Sequence, residues 1–168
     1  MKQLLLIPLI IVPIYLLYVY FKYGMTKSIS ATYKHVKGLE RPWFSFTLLS
    51  IAIPVMIVGI EAVPDNLPEV LFFIAGSLLC LVGASPKFWS GKMELTAHLI
   101  GSYGSIGLGM IACLVYFFNA PTIFYIGIYG LFVLSQFFVK WMRLPNHVYW
   151  VEVGAIIVII FILNLNIY

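Results

Sequence analysis

Glu94–Gly109, ELTAHLIGSYGSIGLG, opens an apolar run that reaches Phe118. At about 1.5 Å per helical residue the run is long enough to cross a bilayer. It nevertheless carries a carboxylate and an imidazole near one end. Glu94, His98 and Ser102 follow one another at i, i+4 and i+8 and share a helix face. Ala97, Gly101, Ser105 and Gly109 form a second row of the same spacing, small enough to let another helix approach closely. The stretch predicts a central span with a polar patch turned toward protein and a helix-packing face beside it.

Composition around this span sets the class. Of 168 residues, 62% are hydrophobic and 10% are charged, where a soluble domain carries about 25% charged residues. Mean hydropathy is +1.04. Such a chain has too little polar surface to cover itself. Its apolar runs are continuous, unlike the alternating segments of about ten residues in a transmembrane barrel. The expected fold is all-α, a single transmembrane domain over 1–168 built as one helical bundle in lipid.

Six spans are expected, at about 4–21, 43–60, 70–83, 95–118, 122–139 and 147–163. Leu4–Phe21 reads as an uncleaved anchor, because no small-residue cleavage site precedes its basic flank. Pro8, Pro13 and Pro54 fall inside spans, as lipid-embedded helices tolerate. Glu61, Asp65 and Glu69, stiffened by Pro64 and Pro68, mark an acidic turn. Asn119-Ala120-Pro121 and Pro145-Asn146 mark two more turns. In the polar segment Lys22–Pro42, Ser30 is placed to cap a short interfacial helix over Ala31–Lys37 that Gly38 ends. Ile29, Tyr33 and Val36 would then face lipid or protein.

Orientation follows from the basic residues, which enrich cytoplasmic loops. The loop after span one holds Lys22, Lys27, Lys34, Lys37 and Arg41. Lys87 and Lys92 follow span three, and Lys140 and Arg143 follow span five. These three loops share one side and hold nine of the ten basic residues. Both termini are therefore expected outside, in a protein of the bacterial cytoplasmic membrane. The net charge of +4 is accounted for as a topology signal, and no nucleic-acid partner is expected. Tyr18, Tyr20, Trp43, Trp89, Trp141 and Trp150 fit an interfacial aromatic belt. Cys80 and Cys113 lie inside apolar runs without metal-ligand spacing and read as packing residues.

Ionisable groups inside spans are costly, so each one is a candidate for function. Glu94 and His98 begin span four, and His147 and Glu152 begin span six, all on the inner side. With Ser28 and Ser30 of the first loop and Ser102 of span four they form a candidate polar cavity, whose core would be Glu94, His98 and Glu152. Histidine and carboxylate suit zinc with an open position for an activated water. No metal or other cofactor is expected; if one binds, His98, His147 and Glu152 are its ligands. Plainer roles exist for each. Glu94 complements the dipole at a helix start, His147 suits the interface, and His98 can bond a neighbouring carbonyl. Glu152, a turn and a half into its span, must be protonated, paired or hydrated. No GxSxG, HExxH, Walker A or dinucleotide motif is present.

Ser28-Ile29-Ser30-Ala31-Thr32-Tyr33, together with His98-Leu99-Ile100-Gly101-Ser102-Tyr103-Gly104, resembles a family of small uncharacterised bacterial multi-span membrane proteins. That family remotely resembles the alkaline ceramidase and adiponectin-receptor-like superfamily. The likeness covers spans two to four and their loops. It implies a helical bundle with a cytoplasm-facing zinc site of a serine, an aspartate and three histidines, two of them as His-x-x-x-His on the last span. This chain carries His147 and Glu152 there, has six spans rather than seven, and places its single aspartate, Asp65, outside.

Three classes of function remain open. The first is a non-enzymatic membrane protein that assembles with a second copy or a membrane-protein partner through the small-residue row of span four. The second is a metal-dependent intramembrane lipid hydrolase with a cytoplasm-facing site. The third is a small channel or transporter.

Overall fold

The computed structural model describes residues 3–62, 66–119, 123–142 and 146–165. Its six α-helices are α1 (Gln3–Tyr23), α2 (Arg41–Ala62), α3 (Asn66–Ala84), α4 (Lys92–Asn119), α5 (Ile123–Trp141) and α6 (His147–Leu165). Two short 3-10 turns, Ser30–Lys34 and Gly38–Glu40, fill the first loop, and no strand occurs among the described residues. By length and composition α1, α2, α3, α4 and α6 are each able to cross a membrane, and Gly130–Trp141 of α5 is apolar but shorter. Five such helices fit an α-helical integral membrane protein. Lys2, Pro64, Asp65, Ala120, Pro121, Arg143, Pro145 and Asn166 lie outside the described residues.

The helices pack by seams rather than by hydropathy. In α1, Leu5, Pro8, Val12, Tyr15 and Val19 are buried, at alternating spacings of three and four that keep one face on a neighbour. The outward residues Leu6, Ile10, Ile14 and Leu17 are as apolar as the seam. In lipid the contact face is distinguished by packing, since hydrocarbon solvates the other face equally well. α1 lies against α2, α2 against α3, and α3 against α4; α6 touches α4, α2 and α1, and α5 packs on α6.

Glycines permit the closest approaches. A Cβ at Gly76 would collide with Met56 and lie 2.9 Å from the Ala52 carbonyl of α2. Nearby, the Ser45 hydroxyl donates to the Gly83 carbonyl at 2.7 Å. At the next interface a Cβ on Gly101 would meet Val82 at 2.7 Å and the Leu78 carbonyl at 2.9 Å. A Cβ on Gly109 would meet Ile159 of α6 at 2.6 Å. The small-residue row of α4 is thus engaged within the chain, Gly101 by α3 and Gly109 by α6.

The first loop differs from its expected form. Its turn is a 3-10 helix over Ser30–Lys34, and Ser30 supplies no cap. Ser28 does: its hydroxyl accepts from the Ala31 N–H at 3.0 Å. The i→i+3 register moves the free N–H groups forward, within reach of the serine two positions earlier. Gly38, at φ +55°, begins the second turn rather than ending an α-helix. Ile29, Tyr33 and Val36 are all buried in protein. Tyr33 packs on Phe44 at 5.4 Å and Trp89 at 5.9 Å, and Thr32 bonds the Tyr15 hydroxyl at 2.7 Å. Lys34 lies over Phe88 and Trp89, while Glu40 gathers Lys22, Tyr18 and Tyr23. Together these contacts hold the loop across one end of the bundle and against the α3–α4 loop.

Candidate functional site

Where α2, α3, α4 and α6 surround the bundle core they leave a half-open cavity of about 60 Å³, room for a few waters or the end of an apolar chain. Its walls are apolar, with Ile51 and Val55 from α2, Leu79 from α3 and Ile159 from α6. Small residues at Ala75, Gly76 and Gly109 keep the backbones close while leaving the middle open. The polar groups on its surface are Ser30, Ser102, Ser105 and Glu152.

Glu152 is positioned by its place in α6, where the first turns run beside the 3-10 turn of the first loop. Its Oε2 accepts the Ile29 N–H at 2.5 Å, and that N–H is its one hydrogen-bond partner among the described residues. The Ser105 hydroxyl turns back to the Ser102 carbonyl at 3.1 Å, a local bond typical of serines inside helices. The Ser102 hydroxyl is buried without a partner. Ser30 is 8% exposed and its hydroxyl makes no hydrogen bond among the described residues.

Three residues of the expected polar cavity line this one: Ser30, Ser102 and Glu152. Glu94, His98, His147 and Ser28 do not line it. Ser28 is spent on the Ala31 cap. Glu94 lies close over Gly91 at the start of its own helix. His147 is exposed at the start of α6. His98, 3% exposed, stacks on Phe88 at 4.3 Å, and its Nδ1 is buried without a hydrogen-bond partner among the described residues. Its row on α4 is continuous with Ser102, but the row's lower end faces the α3–α4 loop while its upper end faces the cavity. Two contributors escaped the sequence reading. The Ile29 amide is a backbone group and leaves no side-chain signal, and Ser105 belongs by spacing to the small-residue packing row.

Among the described residues no three His, Cys, Asp or Glu side chains assemble as a metal site. His98, His147 and Glu152, the set that would hold zinc, occupy separate surroundings and do not fit one. Neither Ser30 nor Ser102 is hydrogen-bonded to a histidine or to Glu152 among the described residues. The arrangement is suited to holding a molecule that is apolar along most of its length and polar at one end.

Fold and cavity thus define a class: an α-helical bundle with five helices long and apolar enough to cross a membrane and a small, mainly apolar cavity in its core. Comparison with protein-family models, with curated proteins and with solved structures finds no match to this chain.

Proposed function

We propose that this chain is a six-span protein of the bacterial cytoplasmic membrane, with both termini outside, and that it acts as a non-catalytic binding protein for an amphipathic small molecule. The observation that carries the reading is the core cavity, apolar along its walls and polar at the Glu152 end. Convergent polar groups at one end of an apolar chamber fix the orientation of a ligand, and the walls supply affinity through apolar burial. The orientation rests on the three basic loops. It is supported by contacts that bring Lys34 of the first loop over Phe88 and Trp89 of the third. The lipid bilayer is then both the solvent and the source of the ligand.

Binding is tested with purified protein in nanodiscs of zwitterionic lipid, by native mass spectrometry after titration with dodecanol. One bound molecule per chain is expected. Ser105→Leu, which puts an isobutyl group into the cavity, should lose binding while keeping its melting temperature within a few degrees. Binding unchanged in Ser105→Leu would place the molecule elsewhere. Orientation is tested by accessibility tags: positions 34 and 87 should be cytoplasmic and position 65 external.

A further inference from the structure

Charge is unequal between the two ends of the bundle. Residues 22–42 and 84–94, the first loop and the α3–α4 loop with the turns that flank them, hold seven lysines and arginines against Glu40 and Glu94. Residues 60–70, between α2 and α3, hold three carboxylates and no lysine or arginine. The two basic loops form one surface. Ser45 near the start of α2 bonds Gly83 near the end of α3 at 2.7 Å, and the Tyr33 and Trp89 rings lie 5.9 Å apart. Lys34 Nζ stands 5.1 Å from the centre of the Phe88 ring and 5.2 Å from that of Trp89. The Arg41 guanidinium stands 5.8 Å from the centre of the Tyr33 ring, and Lys87 adjoins Phe88 in the chain. Aromatic faces attract cations without neutralising them, so this charge stays available outward. Lys34, Lys37, Arg41, Lys87 and Lys92 are all exposed.

Apolar side chains stand among these cations. Leu39, between Lys37 and Arg41, is 93% exposed, and Met93, beside Lys92, is 80% exposed. A soluble acidic partner would satisfy the lysines and leave both apolar side chains in water. The surface of a bilayer satisfies both kinds of group, because phosphates meet the cations and the acyl boundary beneath them takes the apolar side chains. We propose that the surface built by the first loop and the α3–α4 loop binds anionic phospholipid headgroups, with Leu39 and Met93 reaching toward the acyl chains. Recognition is by net charge across the surface, which acts over a screening length of about 8 Å at physiological ionic strength. No single lysine has to meet a phosphate at a fixed distance. A zwitterionic headgroup carries its own ammonium and brings no net charge to the surface, so anionic lipids are preferred. Lipid binding here requires that the bundle stand in a bilayer; it is independent of the core cavity and of which side faces the cytoplasm.

The test titrates the purified chain in detergent with phosphatidylglycerol or phosphatidylcholine of the same acyl chains, with occupancy read by native mass spectrometry. Phosphatidylglycerol is expected to bind at least tenfold more tightly. Lys34→Gln combined with Lys87→Gln should weaken phosphatidylglycerol at least fivefold and leave phosphatidylcholine unchanged, and Lys34→Arg combined with Lys87→Arg should keep the preference. Glu69→Gln, in the first turn of α3 at the other end of the bundle, changes net charge without touching this surface and should alter neither lipid. A measurement on the unaltered chain stands beside the variants: raising ammonium acetate from about 0.1 M to about 0.5 M shortens the screening length and should weaken phosphatidylglycerol at least threefold, with phosphatidylcholine unaffected. Inorganic phosphate at constant ionic strength should displace neither lipid. Equal affinity for the two lipids, a preference that survives loss of both lysines, a preference indifferent to salt, or displacement by phosphate each overturns the proposal. None of these outcomes bears on dodecanol in the core cavity, which stands or falls with Ser105→Leu.

Discussion

His98 stands at the seventh position of α4 and Glu152 at the sixth of α6, two polar side chains at similar depth in their helices. Around His98 the space is filled: Phe88 covers one ring face, and Nδ1 is buried with no hydrogen-bond partner among the described residues. Around Glu152 space remains, and the neighbours across it are serines and aliphatic side chains. The difference comes from what each helix faces. The lower end of α4 meets a short loop that carries an aromatic pair, Phe88-Trp89. The first turns of α6 meet a 3-10 turn that offers a backbone N–H, and above it a core kept open by Ala75, Gly76 and Gly109. A buried polar group becomes a site only where its surroundings leave room for another molecule.

The largest effect expected concerns the close approach of α3 and α4. Gly101→Leu drives a side chain against the Leu78 carbonyl, which cannot rotate away, and should cost about 1–3 kcal/mol or more. Gly107→Leu, where nothing lies within 4 Å of the added carbon, should stay within about 0.5 kcal/mol of the parent. Thermal unfolding in detergent compares the pair; equal melting of the two variants would mean that α3 and α4 do not approach as described.

Next comes the carboxyl itself. Glu152→Ala leaves the Ile29 N–H without its acceptor and should destabilise by about 1–3 kcal/mol. Amide hydrogen exchange at Ile29 should speed up in Glu152→Ala and remain slow in Glu152→Gln. An Ile29 amide indifferent to both substitutions would detach the first loop from α6. On the closed side, His98→Ala forfeits the stack on Phe88, about 0.5–1.5 kcal/mol, and should leave dodecanol binding in nanodiscs unaltered. A loss of binding there would draw His98 into the cavity and erase the contrast. The smallest effect is expected at Glu94, where replacement by Gln should change stability by less than about 0.5 kcal/mol, checked by the same melting assay.

Much of the architecture was legible before the helices were in view. Continuous apolar runs bounded by charge, Pro and Gly marked the six helices, of which five are long and apolar enough to cross a membrane. Their ends shifted by up to four residues because Asn66, Leu67 and Lys92 extend the turns past the apolar core. The site was legible in part. Glu152, Ser102 and Ser30 stood out as polar residues in or beside spans, and they line one cavity. Glu94, His98 and His147 stood out for the same reason and do not. Sequence spacing places residues on one helix face but does not say which neighbour that face will meet. The same limit applied to the Ala97 row, whose small residues promised close approach without naming α3 and α6 as the helices that come close.

The bond between Glu152 and Ile29 joins residues 123 positions apart. During synthesis at about 5–20 residues per second, the Ile29 amide emerges on the order of ten seconds before its acceptor. Through that interval the first loop has its local turns and its contacts to α1, α2 and the α3–α4 loop, but nothing ties it to α6. The polar end of the cavity is therefore the last part to be assembled, and it forms only when α6 enters the bundle. A nascent chain arrested before residue 152 should hold the loop loosely and bind nothing, which makes closure of the chamber a timing signal for the insertion of α6.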